Sequence, residues 1–155
     1  MPSTKNPATL PAPEKLKTIC KAISVLDAIL SPEWQFRYYS YSSKWGEGEE
    51  CLQMRNGQGD DMHILFSGKS CAINGFAHEY AQPDKEQVTN GLPGQFGGFI
   101  FGEPVNSTST TFCLWNEGTG WKTGTIENFD DNSGEMLTIF DGGPQAYTNY
   151  ASEYI

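Results

Sequence analysis

The chain has 155 residues, 37% hydrophobic and 13% aromatic, and a net charge of −9. That length suits one domain with its own core, and the composition excludes an intrinsically disordered chain. Residues 1–85 carry nine Lys and Arg against ten Asp and Glu, net −1, whereas residues 86–155 carry Lys122 against nine acids, net −8; so acidic a half repels phosphate backbones and anionic lipid, which disfavours nucleic acid and membrane as partners and favours a basic protein.

The same acids also serve solubility. No apolar run reaches the roughly 18 residues that span a bilayer. The opening MPSTKNPATLPAPEK lacks the apolar stretch of a secretory leader, so a cytoplasmic location is expected. Cys20, Cys51, Cys71 and Cys113 stand 20 or more residues apart with no CxxC pair. They read as reduced thiols rather than a zinc or redox motif, and no cofactor is expected.

Residues 1–12, with three prolines, read as a mobile tail ahead of one domain over 13–155. From Pro13, Leu16, Ile19, Cys20, Ile23, Leu26, Ile29 and Leu30 recur at helical spacing, and Ser31-Pro32 stops the helix because a residue before proline avoids helical angles. Leu26 is expected at the contact between this helix and the sheet. WQFRYYSY alternates and predicts a strand over 34–41.

Strands follow near 49–55, 61–67 and 70–76, joined by Asn56-Gly57-Gln58-Gly59-Asp60 and by a two-residue Gly68-Lys69 turn. That turn sets Ser67 opposite Ser70, Ile64 opposite Ile73, His63 opposite Asn74 and Asp61 opposite Phe76. The five-residue loop sets Arg55 opposite Asp61 and Gln53 opposite His63. His63 is then a neutral structural residue, and Arg55 is a cation for Asp61. Residues 77–109 read as loop around a short helical turn, TTFCLW, WKTGTI and MLTIF as further strands, and Gly142-Gly143-Pro144 as the opening of a last helix through Tyr147, Tyr150 and Tyr154. The expected fold is α+β: a single domain with an antiparallel β meander, the N-terminal helix on one face, and a short C-terminal helix.

Two sets of residues carry candidate chemistry. Asp60, His78 and Glu79 meet near the mouth of the first hairpin, enough for a weak metal site or an acid/base pair, and so for a small metal-assisted hydrolase. Loop residues beside glycine do not promise fixed ligand geometry, however. The second set, Trp115, Glu117, Trp121, Glu127, Asp130 and Asp131, joins large rings to the acidic half and suits a binding surface. DDNSGE at 130–135 misplaces the glycine and glutamate of a calcium loop and reads as a solvated hairpin loop. GLPGQFGG lacks the Lys-Ser/Thr ending of a phosphate cradle.

SPEWQFRYYSYSSKW, MRNGQGDDMHILF, AINGFAHE, GLPGQF, TTFCLW and the closing DGGPQAYTNYASEYI resemble a family of small bacterial cytoplasmic proteins, uncharacterised in activity. The resemblance covers the chain from about residue 20 and brings no known chemistry with it. In size, acidity and α+β pattern the chain is also similar to immunity proteins that neutralise bacterial toxins, including the SMI1/KNR4-like group. The leading expectation is therefore a non-enzymatic protein-binding module, toxin-neutralising in kind, that uses its acidic, aromatic-bearing surface.

Overall fold

The computed structural model describes residues 2–80, 82–126 and 130–155. Six strands, β1 (Tyr39–Gly46), β2 (Glu49–Arg55), β3 (Asp61–Ser67), β4 (Ser70–Phe76), β5 (Phe112–Asn116) and β6 (Trp121–Thr123), pair antiparallel in chain order. With helix α1 (Pro13–Leu30) and a C-terminal helix they make a single α+β domain. The hairpin register is the one the turn lengths imply: Ser67 faces Ser70, His63 lies between Gln53 and Asn74, and Arg55 faces Asp61. A two-residue turn leaves only one register that keeps Met62, Ile64 and Phe66 on one face, because a slip of one residue turns every side chain over.

Both faces of the sheet are covered. On the first, Leu52, Met62, Ile64, Ile73 and Leu114 meet Leu16, Cys20 and Ile23 of α1 together with Leu137 and Phe140. On the second, Cys51, Leu65, Cys113 and Trp115 are buried under Phe96, Phe99, Ile100 and Val105. After a first four-residue helical turn, α2 (Lys85–Val88), that cover is supplied by a 3-10 turn (Gly94–Phe96) and by α3 (Gly97–Ile100) and α4 (Val105–Thr108). The expected loop over 77–109 is thus a second packing layer, consistent with the burial of every residue of MHILF in β3. Gly75 is required here, since a methyl group on it would overlap the ring of Phe112.

Several expectations are corrected. Residues 34–36 form a 3-10 turn, and the strand begins at Tyr39. MLTIF is helical, within α5 (Ser133–Leu137) and a 3-10 turn at Thr138–Phe140. Five residues with apolar positions one and four apart satisfy either period, and only packing decides. The start of the chain is not a free tail: Leu10 is buried, and Thr4 donates to Asp131 and Ser133. Leu26 faces outward at 43% exposure, next to the exposed Val25, Ile29 and Leu30, while Asp27 is completely buried. Arg55 faces Asp61, and its charge opposes the rise that burial gives that carboxyl, but its guanidinium lies over the ring of Trp34, 3.9 Å from the centroid, rather than in a direct ion pair with Asp61.

Asp27 explains how α1 turned. Its Oδ2 accepts the backbone N–H of Tyr39 and the hydroxyl of Tyr150, and its Oδ1 accepts the hydroxyl of Tyr147, each at 3.0 Å. One carboxylate thus fastens the end of α1 to the start of β1 and to α6 (Pro144–Tyr154). Three hydrogen bonds satisfy a buried group that would otherwise be costly. They hold the face of α1 that carries Leu16, Cys20, Ile23 and Asp27 inward. The four cysteines are free and buried, and burial pushes the Cys51 and Cys113 thiols up to about 12.

Candidate functional site: an acidic groove walled by tyrosines

The Asn56–Asp60 loop and the first residues after β4 meet at one end of the sheet, because Arg55, Asp61 and Phe76 stand in one register row. Asn56 shapes the loop by accepting from the N–H groups of Gln58 and Asp60. The carboxylate of Asp60 turns toward His78 and accepts its backbone N–H at 2.9 Å and its Nδ1 at 2.7 Å, and the Asn56 amide at 2.9 Å. Burial alone would raise the Asp60 carboxyl, but these donors outweigh it and hold it below its ordinary value. Glu79 lies on the other side of the ring, 3.6 Å from Nε2.

Asp60, His78 and Glu79 therefore come together as the sequence suggests, but they do not surround a common point. One carboxylate takes Nδ1 and the other approaches Nε2, and the lone pairs of these two nitrogens diverge, so no single ion can meet all three groups. Among the described residues there is no group of three or more His, Cys, Asp or Glu side chains that could hold a metal ion.

Asp60 also belongs to the wall of a cavity of about 240 Å³, shared with Tyr38, Asn132, Glu135, Asn149 and Tyr154. Beyond Asn132, Glu135 and Thr138, which belong to both, the cavity continues into an open trough of about 460 Å³ bordered by Ser3, Tyr80 and Asp130. Together they form one groove between the hairpin mouth, α5 and α6. The field along it is negative: the Tyr80 hydroxyl is pushed up by burial and by the carboxylates of Asp130, Glu135, Glu79 and Asp60. Among the described residues lining the groove there is no lysine or arginine. Across the described residues, ion pairs within 4 Å engage only Glu50, Asp60 and Glu79. Lys17 and Lys21 of α1 both go to Glu50.

One wall is a packed set of rings. Tyr38, Tyr150 and Tyr154 lie with centroids 5.2 to 5.8 Å apart, and Tyr39 meets Tyr150 edge-on at 5.2 Å. Helical spacing brings Tyr147, Tyr150 and Tyr154 to one side of α6, and Asp27 fixes the first two by their hydroxyls. The wall is preorganised from inside the fold.

The acidic and aromatic residues expected to bind a partner are dispersed. Asp130 is exposed at the trough, and its Oδ1 accepts the N–H of Asn132. Asp131 accepts Thr4 and Ser133, so it ties the N-terminal segment to the start of α5. The 130–135 loop is accordingly a helix entry, not a hairpin. Glu117 is exposed at the opposite end of the sheet, where it accepts the Gln95 amide. Trp121 is half-buried there; its indole N–H donates to the Pro11 carbonyl at 2.8 Å, and it borders a separate cleft of about 560 Å³ with Pro7, Pro13 and Lys69. Trp115 is 2% exposed beneath α3, which corrects its expected place on a surface. Glu127 lies outside the described residues.

Sequence reasoning did not assign Tyr38, Tyr147, Tyr150 or Tyr154 to a site. A signal was present: α6 repeats tyrosine at three- and four-residue steps without leucine or isoleucine, and a stripe of rings with polar tips suits a wet wall better than a dry core. The cavity that Tyr150 and Tyr154 share with Asp60 was not legible, since some ninety residues of chain separate them from it.

No family model matches the chain, and no curated protein or solved structure does. No helix among the described residues is long and apolar enough to cross a membrane.

Proposed function

We propose that the protein is a non-enzymatic binding module that holds a basic protein partner, as a toxin-neutralising protein holds its target. The observation that carries this reading is the groove itself, lined by Asp60, Asp130 and Glu135 and by tyrosine rings, with no lysine or arginine among its described lining. Carboxylates unmatched by any lysine or arginine attract cations over a Debye length, and the aromatic wall beside them gives a partner's apolar stems a surface to lie on. The toxin-neutralising class rests on the likeness in size, acidity and α+β pattern described above. Hydrolysis through Asp60, His78 and Glu79 is the weaker reading, because the two carboxylates sit at opposite nitrogens of one ring.

The test is a titration with a synthetic peptide alternating arginine, lysine and glycine. Affinity should fall at least about ten-fold between about 50 mM and about 500 mM salt, since the shorter Debye length removes the attraction. The double variant Asp130→Lys with Glu135→Lys should lose binding while its urea midpoint stays near that of the parent. Binding indifferent to both salt and charge reversal would sink the acidic-groove reading.

A further inference from the structure

We infer that the 240 Å³ inner end of the groove is a socket for one guanidinium group, an arginine side chain presented by the basic partner. The inference rests on the binding reading above and narrows it to a single side chain at a single place.

Size sets the first limit. A cavity of about 240 Å³ falls below the range of cofactor and drug-sized sites, roughly 300–1,000 Å³, so its occupant is a side chain or a molecule of that size. Charge sets the second. Asp60 and Glu135 line it, no lysine or arginine is among its described lining residues, and the Glu135 carboxylate has no hydrogen-bond or ion-pair partner among the described residues. Asp60 is already engaged by His78 and Asn56, so an anionic or wholly apolar occupant would leave the Glu135 carboxylate unanswered.

Shape chooses between the two biological cations. Asn132 and Asn149 add polar side chains to the lining, the Asn149 oxygen also accepting the Gln145 amide, and Tyr38, Tyr150 and Tyr154 add packed rings. A planar fork with five donors can serve several acceptors at once and lie along a ring, whereas an ammonium is a compact, strongly hydrated point charge. The chain makes the same pairing internally, with the Arg55 guanidinium 3.9 Å from the centroid of Trp34. The Tyr150 ring is held in the wall by the bond of its hydroxyl to Asp27.

The probes are N-acetyl-arginine amide, its uncharged near-isostere N-acetyl-citrulline amide, and N-acetyl-lysine amide, each titrated into the full chain and followed by NMR of the tyrosine rings. The arginine probe should give saturable shifts at Tyr38, Tyr150 and Tyr154, with a Kd on the order of 1 mM as expected for a ligand of that size. Citrulline should bind at least about ten-fold more weakly and lysine detectably more weakly than arginine. Glu135→Gln should cost the arginine probe at least about five-fold, and Tyr154→Leu should weaken it with the urea midpoint retained. Citrulline binding as well as arginine, lysine binding better, or the absence of saturable shifts at these rings would each overturn the socket. If the arginine probe fails while the basic peptide still binds in a salt-dependent way, the socket is wrong and the acidic-groove reading stands. If the probe binds at these rings and the peptide does not, the socket stands and the protein-partner reading falls.

Discussion

Asp27 and Glu135 are both carboxylates close to the C-terminal tyrosines, yet one is sealed in the fold and the other stands at its surface. Asp27 accepts three hydrogen bonds, from Tyr39, Tyr147 and Tyr150, and has no exposed area. Glu135 is exposed and has no hydrogen-bond or ion-pair partner among the described residues. Tyr150 belongs to both settings, with its hydroxyl on Asp27 and its ring in the groove wall. The difference separates architecture from recognition: the saturated carboxylate holds the wall in place, and the unsaturated one is left for something outside the chain.

The largest effect expected is at the saturated site. Asp27→Ala strands the Tyr39 N–H in a buried place and two tyrosine hydroxyls in a partly buried one, and loss of such a network costs about 3–5 kcal/mol, a large part of the stability of a small domain. A urea titration should show the midpoint fall by that amount, and amide exchange should show α6 losing protection first. A variant with parental stability would mean that α6 is held by its rings alone, and the contrast with Glu135 would collapse.

His63 is an intermediate case, a buried polar group with an unsatisfied ring nitrogen. Its Nδ1 has no hydrogen-bond partner, and burial lowers its pKa from about 6.5 to about 4. The sign follows directly. Between those values the unfolded chain binds a proton that the folded chain refuses, so the stability present above pH 6.5 is lost as pH falls toward 4. The full loss is about 3 kcal/mol, and about 2 kcal/mol of it is reached at pH 5. His63→Leu should remove this acid loss and add about 1 kcal/mol at neutral pH by deleting the orphaned nitrogen. Denaturation series at about pH 7 and about pH 5 decide it, and an equal acid loss in the variant would assign the effect to other groups.

Leu26→Asp places a carboxylate one position before Asp27 but on the outward side of α1. The cost should be about 1 kcal/mol, from lower helix propensity and an acid near the helix C-terminus. A folded, soluble protein with a modestly lowered melting temperature is the expected outcome; an unfolded product would show that the apolar stripe of Val25, Leu26, Ile29 and Leu30 is needed inside.

The same residues show what the sequence made legible. Strand register was readable because turn length and a period of two leave one solution, as the pairing of His63 with Gln53 and Asn74 demonstrates. The inward side of α1 was not, because apolar residues continue round the helix after Ile23, and only the distant partners of Asp27 decide which side turns in. Trp115 failed for a related reason. A strand that reads FCLWN is buried on both faces once a second layer covers it, and that layer is made of turns too short to show a helical period. Asp60 and His78 were legible as neighbours, while the tyrosine wall beside them depended on α6 returning to the hairpin mouth.

The smallest effect on stability belongs to the groove, and it is the one that sharpens the contrast most. Glu135→Gln keeps the shape of the side chain, removes its charge, and breaks no hydrogen bond or ion pair among the described residues. An exposed change of this kind moves stability by less than about 0.5 kcal/mol. The same substitution should weaken a basic peptide markedly at low salt and hardly at all at high salt, since it acts through the field rather than through packing. Parallel urea and binding titrations on Glu135→Gln and Asp27→Ala would then give opposite patterns, one variant stable and poor at binding, the other destabilised throughout. If Glu135→Gln proved as destabilising as Asp27→Ala, the groove carboxylate would be part of the frame, and a partner would have to be sought elsewhere on the surface.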